Sequence, residues 1–464
     1  MSRWMRTLLS LSAAASLAAC GGDSKPTPTP TPTPELDPLP LTLFAASEGA
    51  LAAINLETGE QRNGTVADIS GPTDLQVLED ATLMMNLTSR NEVLAVDGRT
   101  LQERARFASS SLGGTRPTHS YVSPARNGKR YWLTLNDGVG NRLNSSTALF
   151  VDATEGSSTY LQPVGEVRLG VGHHKASFSN TRERIVISNI ADCDEVLSVY
   201  DYSDVQNIQK VQTFSAGSLG LTCSLSAPLL PHGCATSKVS GRAYCSLTGS
   251  GSIISVDLDA AVPSAKVIST GGRGGGFMEA NWDGRYLYSV QASPREDSTT
   301  PPGAACQVGQ LAVVDASTDS VAREVPLRYR GPDCTATLAG TDEAKAEVSH
   351  LVMGPNGTTL YVTLGAFNDA DAHVRQELVV DLSQPGAPAQ RASIALGPSN
   401  GSPADSISPD GRFLFVANTT DNNLSQIDTA TNTVVHVFNF FTSPKTMGLF
   451  STASGPSEHV GPIH

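Results

Sequence analysis

A chain of 464 residues with a formal net charge of −13 is a poor nucleic-acid binder, because an acidic surface does not offset phosphate repulsion. Hydrophobic residues make up 39%, alongside 42 Gly and 28 Pro, a balance that suits a turn-rich globular β protein. Beyond residue 19 no apolar run is long enough to cross a membrane.

Residues 1–19 read as a signal peptide. Arg3 and Arg6 give a positive start, Leu8 to Ala19 form an apolar stretch too short to span a bilayer, and small residues precede a cysteine in Leu17-Ala18-Ala19-Cys20. The pattern resembles a bacterial lipoprotein signal, which implies cleavage before Cys20 and a lipid on that residue. Losing Arg3 and Arg6 lowers the basic residues from 32 to 30 against 45 acidic ones, leaving −15. Gly21 lacks the Asp associated with inner-membrane retention, so the expected place is the cell envelope, lipid-anchored, periplasm-facing or surface-exposed, with the outer membrane favoured. Residues 20–40 then form the lipidated cysteine and a tether. Its Pro26-Thr27-Pro28-Thr29-Pro30-Thr31-Pro32-Thr33-Pro34 core lacks a backbone donor at every second residue and favours extended polyproline II.

From about Leu41 the chain repeats itself, most clearly at Ser408 to Val435: a Ser408-Pro409-Asp410-Gly411 turn, an alternating strand to Asn418, a second turn, and a strand ending at Ile427-Asp428. The apolar-Asp ending recurs at Val96-Asp97, Val151-Asp152, Tyr200-Asp201, Val256-Asp257, Val314-Asp315 and Val380-Asp381, with a degenerate copy at Ile54-Asn55. Eight copies of a four-strand unit predict an all-β, eight-bladed β-propeller over residues 41–452, with seven blades as the alternative. Residues 453–464 are expected to form a flexible tail. Inner strands are predicted to begin near Asp74, His119, His174, His232, Glu279, His350 and Asp405. Ser443 to Phe450 supplies an eighth, and Leu41 to Ile69 supplies the outer strands of that blade, so the two termini share it. The repeat resembles propellers of the YVTN type.

Six cysteines follow Cys20, and in an oxidising compartment an even number reads first as disulfides, with thiolate metal ligation second. Cys306 and Cys334 each lie in a long insertion and are expected to pin Gln291–Leu311 to Arg328–Val348. Hairpin register around Lys238 to Gly241 sets Cys234 opposite Cys245, which leaves a cross-strand bond open among Cys193, Cys223, Cys234 and Cys245.

Five of the nine histidines, His119, His173, His174, His232 and His350, fall at predicted inner-strand starts, with Glu279 and Asp405 in similar places. Inner strands line a propeller's channel, so imidazoles and a carboxylate converging there suit a borderline metal such as zinc, with copper as the other ion. The structural reading beside it is a histidine that merely caps a turn. Because side chains alternate along a strand, His173 and His174 are not expected both to point inward.

Arg116-Pro117-Thr118-His119 followed by Leu135-Asn136-Asp137-Gly138 resembles a motif pair in periplasmic zinc metallochaperones of the AztD type, which serve zinc ABC importers. Gly172-His173-His174 resembles their His-His turn, and Cys223, Pro231-His232-Gly233 and Cys245 resemble their cysteine-bracketed His-Gly stretch. The resemblance implies His119, His174 and His232 as zinc ligands, a Cys223–Cys245 disulfide that leaves Cys193 to Cys234, and the substrate-binding protein of a metal importer as partner. Those proteins carry a His-rich N-terminal segment, whereas this tether has no histidine. His350, Glu279 or water would complete the coordination. The sequence therefore predicts a monomeric, envelope-anchored, non-catalytic zinc-binding propeller. The alternatives are a metal-dependent enzyme, lactonase-like or a copper oxidase, and a metal-free protein-binding scaffold.

Overall fold

The computed structural model describes residues 38–138, 146–172, 174–224, 226–270, 275–292, 305–330, 347–365, 376–396, 405–419, 421–439 and 444–457. The stretch read as a signal peptide and most of the expected tether lie outside them. The compact unit begins at Pro38, so the last three residues assigned to the tether belong to the folded body.

Eight antiparallel sheets form the ring. Seven are built from consecutive strands, and the first strand of each is the innermost. These first strands are Pro72–Val77 in blade 1, Pro117–Val122 in blade 2, Ala176–Phe178 in blade 3, Pro231–Thr236 in blade 4, Gly275–Ala280 in blade 5, Glu347–Met353 in blade 6 and Asp405–Ile407 in blade 7. Blade 8 takes its inner strand, Thr446–Ser451, from the end of the chain and its outer strands, Thr42–Ser47, Ala50–Asn55 and Gln61–Asn63, from the beginning. The closing seam pairs Thr42 with Phe450 through Ala46 with Thr446. Beyond it, Leu39 N–H donates to Thr452 Oγ1 at 2.7 Å. The protein is an eight-bladed β-propeller with one blade shared by the termini. Among the described residues no helix is long and apolar enough to cross a membrane.

The repeated apolar-Asp signature has a local cause. Each Asp follows the last core residue of a third strand and turns its carboxylate back onto the amides of the next turn. Asp97 Oδ1 accepts from the N–H of Arg99 at 2.8 Å and of Thr100 at 3.0 Å, and Asp428 Oδ1 accepts from Ala430 at 2.9 Å and Thr431 at 2.8 Å. Asn55, the degenerate copy, does the same for Glu57 at 2.9 Å and Thr58 at 3.2 Å. An amide oxygen serves as well as a carboxylate, so the eighth blade is built by the same rule.

Cohesion comes from side chains between blades. Met84 and Val93 of blade 1 pack on Trp132 and Leu149 of blade 2; Leu133 and Phe150 of blade 2 pack on Ile187 and Tyr200 of blade 3. Each fully buried large side chain contributes roughly 1.5–3 kcal/mol. Outer strands are exposed and charged, as in Glu103-Arg104-Ala105-Arg106, which discourages further strand pairing.

Two expectations are corrected here. Residues 453–457 are not a loose tail: Gly455–Pro456 pairs with Phe450 and Ser451, and Ser457 N–H donates to Leu449 O at 2.9 Å. The disulfides join Cys193 to Cys223 and Cys234 to Cys245, not Cys223 to Cys245 and Cys193 to Cys234. Strand register decides the second, since Cys234 and Cys245 are direct cross-strand partners in blade 4. For the first, Ala216 N–H donates to Cys193 O at 2.8 Å and draws the strand that leaves blade 3 onto the loop containing Cys193, within reach of Cys223. The expected Cys306–Cys334 bond lies outside the described residues.

Candidate functional site

The first residues of the inner strands bring ionisable side chains from several blades to one end of the channel. His119 of blade 2 is fully buried, at a bulge between Pro117 and His119 that sets its register. Next to it, Ser120 N–H donates to Asp74 Oδ2 at 2.7 Å and ties blade 2 to blade 1. His174, also buried, precedes the inner strand of blade 3. Its Nδ1 lies 3.3 Å from Asp137 Oδ1 and its Nε2 lies 3.1 Å from Gly170 O, so both ring nitrogens are engaged with oxygens. His173 lies outside the described residues.

Lys175, which the sequence reading passed over, occupies the centre of this group. It is 3% exposed; its N–H donates to Ser188 Oγ at 2.8 Å, and its Nζ reaches across to His119 Nδ1 at 3.4 Å. Burial pushes the ammonium down to about 7, against the pull of the Asp74 and Asp137 carboxylates. Burial likewise raises Asp74 to about 7, opposed by its hydrogen bonds from Ser120 and by the charge of Lys175. Lys175 thus lies against the His119 ring and within the electrostatic reach of two carboxylates.

Phe277 of blade 5 is the second residue that sequence reasoning missed. Its ring lies 4.7 Å from Lys175 Nζ, 5.1 Å from the ring of half-buried His232, and 4.5 Å from the ring of buried His350. Blade 5 therefore places an aromatic ring at the level where Glu279 was expected. Glu279 lies near the end of Gly275–Ala280, deeper in the channel, where its charge adds to the burial that raises Asp405 to about 7. Thr363 Oγ1 donates to Asp405 Oδ2 at 2.9 Å. Gly233, next to His232, holds φ at +113°, and a Cβ there would meet Gly276 O at 2.7 Å and Phe277 Cα at 2.8 Å. Only glycine lets blades 4 and 5 close this tightly beside the histidine.

The structure brings His119, His174, His232 and His350 to one end of the channel but interposes Lys175 and Phe277 among them. Among the described residues no group of three or more His, Cys, Asp or Glu side chains is placed to hold a metal ion. The other end of the channel widens into a cavity of about 1140 Å³ bounded by Tyr121, Cys234, Glu279, Trp282 and Ser454–Ser457.

The ring, its shared closing blade and its polar channel define an eight-bladed β-propeller. No protein-family model matches the chain, and no curated protein matches it. Among solved structures it is similar to AztD of Citrobacter koseri, at 13% identity and a TM-score of 0.55 over 92% of this chain and 100% of that one. The apo form of the same protein matches at 13% identity and a TM-score of 0.55, over 89% and 99% of the two chains. A Lactobacillus plantarum protein matches at 12% identity and a TM-score of 0.50, over 89% and 99%. At these identities the likeness is one of fold.

Proposed function

We propose that the protein is an envelope-anchored, non-catalytic metal-binding propeller that carries zinc, or alternatively copper, at the histidine end of its channel. His119, His174 and His232 are the proposed donors, with His350, Glu279 or water to supply a fourth. The observation that supports this reading is the gathering of histidines from several blades at one end of the channel: His119 against Lys175 at 3.4 Å, and His232 and His350 against the one Phe277 ring at 5.1 and 4.5 Å. Donor chemistry agrees, since imidazole suits both ions. Asp137 stands against His174 Nδ1, as an outer carboxylate does beside a ligating histidine, and His174 Nε2 would have to leave Gly170 O to bind metal. The metal is cargo in this account, and the accepting partner is the substrate-binding protein of a metal ABC importer. Anchoring through Cys20 would keep the carrier at the membrane while the Pro-Thr tether spaces it from the surface.

The test is metal content of the mature protein purified without chelator, followed by titration of zinc into the stripped protein. One equivalent in the wild type, lost in His119→Ala/His232→Ala, is the expected result. A correctly folded wild type that takes up no zinc or copper would overturn the reading.

A further inference from the structure

We infer that the outermost strand of blade 7, Thr433–Phe438, is a docking edge for a second copy of this chain, joined to it by antiparallel strand pairing. The inference is independent of the metal reading.

The strand is the last of its sheet, and among the described residues no further strand pairs with it. The backbone N–H and C=O groups along its outer side are therefore open to another strand. Proteins commonly guard such an edge with charge. Each of the other seven outermost strands carries at least one Lys or Arg, including Arg391 in blade 6 and Arg62 in blade 8 on either side. Thr433-Val434-Val435-His436-Val437-Phe438 carries none. Val435 is 51% exposed and Val437 39%, whereas the other exposed large apolar side chains, Leu112, Val239, Val262 and Trp282, stand on bends and turns. Among the described residues, this strand alone combines exposed large apolar side chains with an unguarded edge.

Charge selects the occupant. At −13 the chain repels its own copies over most of its surface, and like charges set opposite one another destabilise strand pairing. On this edge no register of self-pairing sets Lys, Arg, Asp or Glu side chains against each other: whichever residue lies on the two-fold axis, only Thr, Val, His and Phe meet across it. The contact is isologous, with the same patch on both copies, so it closes at two and does not grow into a fibre. Its length sets its strength. A strand of 6 residues extends about 20 Å, and the area it shares is smaller than a permanent dimer needs, so the association is weak and reversible. A register shift opposite Gln426 and Ile427 shortens the straight stretch further. The monomer expected from the sequence is then the dilute form.

The experiment is sedimentation velocity of the purified chain carrying Cys20→Ser, which removes the expected lipid site and any disulfide between copies there. The expected result is a reversible shift from monomer toward dimer between about 5 and 500 µM. Association should be at least about tenfold weaker in Val435→Lys/Val437→Lys, and unchanged in Val239→Lys/Val262→Lys, which charges exposed valines on the turns of blade 4. A parent chain that stays monomeric at the highest concentration overturns the inference, as does a dimer that persists unchanged in Val435→Lys/Val437→Lys. Growth beyond two copies refutes the closed two-fold pairing. Should the lysine variant fail to fold, hydrogen exchange of the parent chain decides. Amides of residues 435–437 are expected to gain protection severalfold as concentration rises, and protection independent of concentration refutes the pairing.

Discussion

Lys175 Nζ lies 3.4 Å from His119 Nδ1, a contact between two buried side chains of blades 2 and 3. Truncating His119 removes that polar contact from a site closed to water. His119→Ala is expected to lose roughly 1–3 kcal/mol of stability in urea denaturation at neutral pH, beyond any effect on metal. A variant as stable as wild type would mean the contact carries no structural weight.

The aspartates that end the third strands make acid stability predictable. At Asp152, burial opposes the charge, but hydrogen bonds from Ser157 and Thr159 at 2.6 Å and from Thr154 N–H at 2.8 Å outweigh it and hold the carboxyl below its usual value. A lowered folded value means the contribution is complete above the unfolded carboxyl range, about 3.9, and is lost as the pH falls through the lower folded value. Asp152→Ala should cost roughly 1–2 kcal/mol at pH 7. Asp152→Asn should keep most of the turn, as Asn55 does naturally, and flatten the fall in stability below about pH 4.

Disulfide connectivity gives a direct chemical check. Non-reducing peptide mapping should recover Cys193 joined to Cys223 and Cys234 joined to Cys245. Replacing Cys193 and Cys223 with serine opens a loop of sequence separation 30, worth about 3–4 kcal/mol in the chain-entropy account. Recovery of a Cys223–Cys245 peptide would contradict the register of blade 4.

Ring closure depends on a close approach between blades 8 and 1. A Cβ on Gly448 would sit 2.7 Å from Val77 Cγ2 and 2.9 Å from Leu75 Cδ2, so Gly448→Ala overpacks the seam. It should lower stability by roughly 1–3 kcal/mol, read as a lower melting temperature. A neutral result would mean that the two inner strands can move apart freely.

Much of this architecture is legible in the sequence because the turn chemistry repeats. The apolar-Asp endings, and Asn55 standing in for the eighth, count the blades, and the orphan strands at the two ends predict the shared one. Blade 5 is less legible. Its inner strand begins within Gly271-Gly272-Arg273-Gly274-Gly275-Gly276, a stretch without side-chain alternation to set the register, so Glu279 reads as the strand start when Phe277 occupies that level. Lys175 is hidden for a different reason. Its position beside His173-His174 is visible, but where a long flexible side chain places its charge depends on groups from other blades. The cysteine pairing illustrates the same limit: Cys234 opposite Cys245 follows from one hairpin, whereas Cys193 to Cys223 depends on how two loops leave their strands.

A crystal of the mature protein soaked in zinc, with data collected on both sides of the zinc absorption edge, tests the cation site most directly. The account predicts one strong anomalous peak at the histidine end of the channel, within bonding distance of His119, His174 and His232. Anomalous signal confined to surface residues such as His436 would contradict it.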